Sequence, residues 1–440
     1  MDLKIIRDPV YDYIAIDKQR DGWLLDLLDS REMQRLRHIH QLGVSYLVYP
    51  GATHTRLSHA LGVLHLMQQA LRHLKENVAV SVNGETRRAL LAAALLHDVG
   101  HGPFSHLLES KLGSGHEQWS SRIVRDESTD VHGVLAKEGI VEHVAALLDE
   151  QDVSLPYWQK ALISSQLDLD RMDYLLRDSH FTGAGYGRFD CFRLIHTLDI
   201  ISTADPESGG APPKERPVWP DKCKYAIEEY LFARYHMYHG VYFHHCTRGY
   251  EKLLGAIWDR AQHLVANESS PQLIEAIAPF FQNPPRPTVD QYLRLQEYDV
   301  LSQLAIWKDD TRDKVLFDLS QKFLHRKGFK AIEVPTGRLS GLKGHDRIED
   351  VLGYFGKQEG VVSTAPRSYI LEDSGAAEPY KPYLWSEKEG QSPILLNDGA
   401  GSQDISVALP RLRPITQQDT FVRYYCPGDH RDAISELLRA

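Results

Sequence analysis

The stretch 95–106, Leu-Leu-His-Asp-Val-Gly-His-Gly-Pro-Phe-Ser-His, constrains this chain more than any other. It is led in by the apolar run Ala89 to Leu96, which reads as a buried helix. Gly100 stops that helix just after His97-Asp98. Imidazole and carboxylate are thus delivered at the end of a rigid element, beside a tight turn, with His101 and His106 following closely. Neutral imidazole and carboxylate suit Mn, Fe, Zn or Mg. The chain carries its own control: His345-Asp346 sits in what reads as a Gly-rich, charged loop with no apolar lead-in, and reads as surface.

At 440 residues the chain can bury a large core and hold two or three domains. A formal charge of −10 gives no whole-molecule attraction to polyanions, so a nucleic-acid partner is not expected and any phosphate site must be locally basic. The four cysteines are scattered, with no CxxC, which points to reduced thiols in the cytoplasm. The N-terminus has no signal-peptide h-region, and no apolar run approaches a membrane span.

Along the chain, residues 1–16 read as a strand or extended arm and 31–41 as a helix. Thr53 to Leu74 reads as a long helix with the apolar stripe Leu57, Ala60, Leu61, Leu64, Met67, Leu71 and Leu74. Helices are expected over 87–98, 103–112, 116–126, 133–149, 157–165, 168–180, 190–200, 222–266 and 289–326. Residues 203–220, with five prolines and two glycines, read as an exposed loop. After residue 328 Gly, Pro and Ser rise and β-like runs appear at 331–334, 368–371 and 421–425; residues 373–403 read as a loop region. The expected fold class is mainly α: a helical core over 1–327 and a smaller C-terminal α+β lobe over 328–440, serving oligomerisation or regulation.

Of 22 histidines, 18 precede residue 246, so the chemistry belongs to the helical part. His59 lies off the stripe of the long helix; alone, it reads as a hydrogen-bonded, partly buried polar residue. Asp168 and Asp170 open a helix, where carboxylates suit the dipole. Asp170, Tyr174 and Asp178 follow at i, i+4, i+8 on one face, and could hold a metal at one end and hydroxyl groups beyond it. A solvated face paired with Arg171 and Arg177 is the plainer reading. Arg234, Tyr238 and Tyr242 repeat the spacing, which core aromatics with a snorkelling arginine would also give.

Arg56-Leu-Ser-His59, His97-Asp98-Val-Gly-His101-Gly-Pro-Phe-Ser-His106, His116-Glu117 and Asp168-Leu-Asp170-Arg-Met-Asp-Tyr174, with Gln41-Leu42-Gly43 and Tyr49 to His54, resemble the HD-domain dNTP triphosphohydrolases. The branch is that of the human sterile-alpha-motif and HD-domain enzyme and its bacterial homologues. The similarity spans residues 1 to about 325, leaving no room for a sterile-alpha-motif domain. It implies His59, His97, Asp98 and Asp170 as metal ligands. Arg56, Arg171 and Arg234 would meet phosphates, and His101, His106 and His116 the α-phosphate, with Glu117 orienting His116. Tyr174 and Asp178 would take the 3′-hydroxyl, Gln41 and Leu42 the sugar edge that excludes a 2′-hydroxyl, and Tyr242 the sugar. The implied reaction is attack of metal-activated water at the α-phosphate, giving deoxynucleoside and intact triphosphate. The implied cofactor is Mn, Fe, Zn or Ni, with Mg as a second ion carried by the triphosphate.

The same resemblance implies a homo-oligomer, dimer or tetramer, controlled by GTP, dGTP or a dNTP. Asp29, Gln34 and Arg37 would grip the effector base, with Lys4, Ile5 and Arg193 supplying walls and phosphate contacts; tying the first helix to its neighbour is the plainer role for the first three. Two other readings stay open. One is an HD-superfamily monoesterase or phosphodiesterase. The other is a nucleotide sensor without catalysis.

Overall fold

The computed structural model describes residues 2–109, 111–149, 151–203, 214–267, 271–282, 284–309, 312–334, 342–377, 393–399, 401–417 and 419–439. The N-terminal arm is an antiparallel hairpin, Leu3–Asp8 with Asp12–Asp17. Behind it runs the long helix Arg56–Asn77. Its predicted stripe is buried apart from half-buried Leu61, and Val63, Leu66 and Ala70 are buried as well, so the helix is enclosed on several sides. Ala89 to Leu96 are fully buried in the helix Gly84–Leu96, which packs along it. The helix Leu169–Thr182 crosses the long helix and ends at Gly183 in the left-handed conformation. These three helices carry the first hydrophobic core and the chemistry-bearing side chains.

A second core lies beneath the helix His245–Ala266, which packs on Lys314–Leu324 and on a three-stranded sheet. In that sheet Asp419–Cys426 lies between Lys330–Val334 and Leu371–Ala377, all antiparallel. The molecule is therefore mainly helical, with an α+β C-terminal region. Among the described residues no helix is long and apolar enough to cross a membrane.

Several local readings change. Of the expected loop 203–220, residues 204–213 lie outside the described residues. Lys214–Pro220, however, is a strand, antiparallel to Asp199–Thr203 and parallel to Leu395–Asn397. Burial of Val218 and Trp219 outweighs the breaker signal of Pro217 and Pro220, and Trp219 Nε1 donates to the Leu194 carbonyl at 2.9 Å. The expected helix 103–112 shrinks to His106–Glu109, because Phe104 and Ser105 have φ of 56° and 49°. Left-handed backbone at a buried phenylalanine is costly and persists only where its surroundings impose it. The expected helix 133–149 is two, Asp130–Glu138 and Val141–Leu148, separated at left-handed Gly139. Of the region 373–403, residues 378–392 lie outside the described residues. Ile394, Leu396, Ile405, Leu409, Leu412 and Ile415 pack into the first core, so the C-terminal part of the chain returns to the helical body.

Candidate active site

His59 projects from the first turn of the long helix, and His97 and Asp98 from the end of the Gly84–Leu96 helix. Asp170 comes from the first turn of Leu169–Thr182. The three helix ends bring His59 Nε2 to 3.0 Å from His97 Nε2 and 2.9 Å from Asp170 Oδ1. Asp98 Oδ1 lies 3.5 Å from His97 Nε2, and Asp98 Oδ2 3.8 Å from His59 Nε2. An ion about 2.1 Å from nitrogen and oxygen donors holds neighbouring donors about 3.0 to 3.5 Å apart, close to the His59–His97, His59–Asp170 and His97–Asp98 separations, and His59, His97 and Asp98 form one mutually close group of donors.

The outer ring nitrogens support that reading. His59 Nδ1 donates to Asp173 Oδ2 at 2.7 Å and His97 Nδ1 to the Ala94 carbonyl at 3.0 Å. In neutral rings both Nε2 atoms are then lone pairs facing one another and two carboxylates, an arrangement that is repulsive without a cation. Burial opposes a charged ring, yet Asp170 and Asp173 raise the His59 pKa to about 10. By either route the cluster demands positive charge. Two imidazoles and two carboxylates fit a divalent ion, with room left in its coordination shell for other ligands.

Beside the cluster, Arg56 Nη1 donates to Asp98 Oδ2 at 2.5 Å, while its Nε and Nη2 reach Ser105 Oγ at 3.1 and 2.6 Å. The left-handed backbone at Ser105 is thus held by a buried guanidinium. Gly100 explains how the next element closes in. A Cβ there would lie 2.1 Å from the His116 carbonyl oxygen and 2.4 Å from Ser120 N. The helix His116–Arg125 therefore rests directly on the turn, and the rings of His101 and His116 stack with centroids 3.9 Å apart. The carboxylate meeting His116 is Glu109, which accepts from the His116 backbone N–H at 2.6 Å and contacts Nδ1. Glu117, expected in that role, is exposed one residue into the helix. The His106 side chain lies outside the described residues.

The helix Lys224–Met237 gives Arg234, after which a π-helical turn, Tyr238–Tyr242, re-aims the tyrosines. Arg234 is only 7% exposed and lies over the Tyr238 ring, yet its Nε and Nη1 meet no partner among the described residues. Arg171 differs: its Nε donates to the Ser165 carbonyl at 2.6 Å and pairs with the capping carboxylate of Asp168. Tyr242 donates to Asp178 Oδ2 at 2.8 Å, with the Tyr174 ring edge-on to it. The other oxygen of Asp178 accepts from His54 Nε2 at 2.6 Å. Gln41 has a buried side-chain oxygen without a partner among the described residues, and Leu42 packs at the edge of the first core.

Of the six expected effector residues, Gln34 and Arg37 are in direct contact. Gln34 Nε2 donates to the Leu28 carbonyl at 2.8 Å, and Arg37 Nε to Gln34 Oε1 at 2.6 Å. Asp29 caps the C-terminus of the helix Trp23–Leu28. Lys4 and Ile5 are exposed on the hairpin. Arg193 lines a cavity of about 650 Å³ to which none of the other five contributes.

Sequence reasoning missed Asp173, Arg177, Glu109, His54 and Ser105. His54 stood within a motif already quoted, and Asp173 and Arg177 follow Asp170 on the same helix. Only the tertiary contacts reveal what they hold.

The HD domain family matches residues 56–178, a span running from Arg56 to Asp178. The chain is 34% identical over 404 residues to the uncharacterized protein YwfO of Bacillus subtilis, covering 89% of this chain and 84% of that one. This chain belongs to the HD-domain family. The matched span contains His59, His97, Asp98 and Asp170, the residues gathered at the three helix ends. This HD-domain chain is also 31% identical over 226 residues to the deoxynucleoside triphosphate triphosphohydrolase SAMHD1 of Gallus gallus, covering 44% of this chain and 36% of that protein. A solved phosphohydrolase from Bacteroides thetaiotaomicron superposes with a TM-score of 0.79 at 29% identity, covering 97% of this chain and 100% of that one. By family the protein is a hydrolase of the HD phosphohydrolase class.

Proposed function

We propose that this HD-domain protein hydrolyses deoxynucleoside triphosphates to deoxynucleoside and inorganic triphosphate. The observation that carries the reading is Arg234. A buried guanidinium with two unanswered donors, close to a second arginine rather than a carboxylate, is suited to an anion with several oxygens. The similarity to the chicken triphosphohydrolase supports the same substrate class.

The divalent ion, Mn, Fe, Zn or Ni, would be held by His59, His97, Asp98 and Asp170, and supplies Lewis-acid polarisation and a lowered pKa for water; Mg would accompany the triphosphate. This chain's residues do the rest. Arg56 and Arg234 neutralise phosphate oxygens in a site of low dielectric. Water adds to the α-phosphorus as the bond from phosphorus to the 5′-oxygen breaks, and that oxygen leaves poorly unless protonated. His106 or His116 supplies the proton, with Glu109 fixing the His116 ring. Asp178, pinned by His54 and Tyr242, takes the 3′-hydroxyl together with Tyr174. Gln41 and Leu42 close the sugar edge.

Protein loaded with Mn²⁺ should convert a dNTP to deoxynucleoside plus tripolyphosphate, read by ion-exchange chromatography, and His97→Ala or Asp98→Ala should abolish turnover. Release of orthophosphate or pyrophosphate instead would assign a different hydrolysis.

A further inference from the structure

We propose that the amino-terminal hairpin sets the metal affinity of the cluster through a buried chain of ion pairs, Asp8–Arg177–Asp173–His59. The inference rests on the cluster holding a divalent ion and is independent of which nucleotide is cleaved.

Each link is direct. Asp8, at the end of the first hairpin strand, takes Arg177 Nη1 on Oδ2 at 2.8 Å. Its other oxygen accepts from the backbone N–H groups of Val10 and Tyr11 at 2.9 and 3.0 Å, so the same carboxylate shapes the hairpin turn. Arg177 is fully buried and forks onto Asp173, Nε to Oδ2 at 2.9 Å and Nη2 to Oδ1 at 3.0 Å. Asp173, itself fully buried, accepts from His59 Nδ1. Every arginine donor that points along the chain is thereby used, and a planar fork transmits orientation as well as charge.

Gly62 is an independent sign that the path is built in. It lies one turn beyond His59 on the long helix, where a Cβ would fall 1.8 Å from Asp173 Oδ1 and 2.4 Å from Arg177 Nη2. The helix carries no side chain at the point where the ion pair crosses it. Tyr11 covers the outer end, with Arg177 5.8 Å from its ring centroid and His65 stacked against its other side.

The consequence follows from charge. With Asp8 present, one arginine is shared between two carboxylates, so Asp173 keeps part of its negative charge for the His59 N–H. Without Asp8, Arg177 neutralises Asp173 alone, the His59 ring becomes a poorer donor to metal, and its orientation loosens. Asp8, Arg177 and Asp173 are thus positioning residues for His59.

The test is Mn²⁺ binding to metal-stripped protein by isothermal titration calorimetry, with circular dichroism confirming a folded chain. Asp8→Asn keeps an oxygen for the turn and removes the charge. It should weaken Mn²⁺ affinity roughly 10-fold or more, within the range for groups that hold a ligand in place. Excess Mn²⁺ should restore kcat with KM for nucleotide unchanged. Arg177→Lys, which loses the fork but keeps the charge, should do the same, and decides the matter if Asp8→Asn does not fold. Wild-type affinity in a folded variant overturns the proposal even if melting temperature falls. Wild-type protein that binds no Mn²⁺ overturns the metal reading with it. Altered affinity in a protein that cleaves no dNTP leaves the chain standing and removes only the substrate assignment.

Discussion

Leu42 illustrates how much a single apolar side chain can decide. It packs at the edge of the first core, next to Gln41, and is proposed to face the sugar. A methyl group placed where a hydroxyl must sit excludes it both by volume and by leaving it without a partner. Leu42→Gly should therefore narrow the preference for dATP over ATP by roughly 10-fold in a competition assay read as kcat/KM. Equal turnover of ATP and dATP by the unaltered protein would remove this role. Arg56 makes the contrasting point. Its assignment as a phosphate ligand followed from the resemblance, and in the fold each of its three guanidinium nitrogens already contacts Asp98 or Ser105, so phosphate would take up the remaining N–H groups or share those partners.

Glu297, at the start of the helix Glu297–Asp309, ties together three elements that the sequence separates widely. Its Oε1 accepts from the backbone N–H of His40 at 2.9 Å and from that of Phe104 at 3.4 Å, while Oε2 pairs with His40 Nδ1 at 2.5 Å. The clamp holds both the segment entering Gln41 and the left-handed turn at Phe104. The Glu297 hydrogen bond raises the His40 pKa, against partial burial. The folded pKa lies above the unfolded value of about 6.5, so this pair contributes fully below pH ~6.5 and its contribution is lost as pH rises through the folded pKa. Thermal unfolding should show wild type more stable than His40→Gln by about 1 kcal/mol at pH 6, with the gap closing toward pH 9. A gap that stays constant with pH would rule out a charged pair.

At the scale of the molecule, the two hydrophobic cores do not follow chain order. Residues 394–415 return to the first core, and the helix His245–Ala266 carries the second. The C-terminal region is therefore linked to the body holding the His/Asp cluster by burial as well as by the chain itself. Regulation is proposed at this scale. We propose that Lys4, Ile5, Asp29, Gln34, Arg37 and Arg193 grip a nucleotide between two copies of the chain. A ligand that binds only the assembled state shifts the equilibrium toward it. Sedimentation velocity and dNTP hydrolysis should both respond to GTP or dGTP, and Arg37→Ala should blunt both responses. Mass and rate indifferent to every nucleotide, with Arg37→Ala like wild type, would remove the effector role and leave catalysis untouched.

The sequence by itself determined the helical core, the buried run ending in His97-Asp98 and the i, i+4, i+8 face of Asp170, Tyr174 and Asp178. Burial and helical periodicity are local properties, readable from spacing alone. The family resemblance then named candidate metal donors before any geometry was known. Tertiary structure decided what holds those donors in place. Asp173, Arg177 and Asp8 form a chain across 169 residues of sequence, Glu109 contacts the His116 ring that Glu117 was expected to orient, and Pro217 lies in a strand rather than a loop. Ion pairs and strand partners are chosen by proximity after folding, and at long range a carboxylate looks the same in sequence whether it faces solvent or a buried guanidinium.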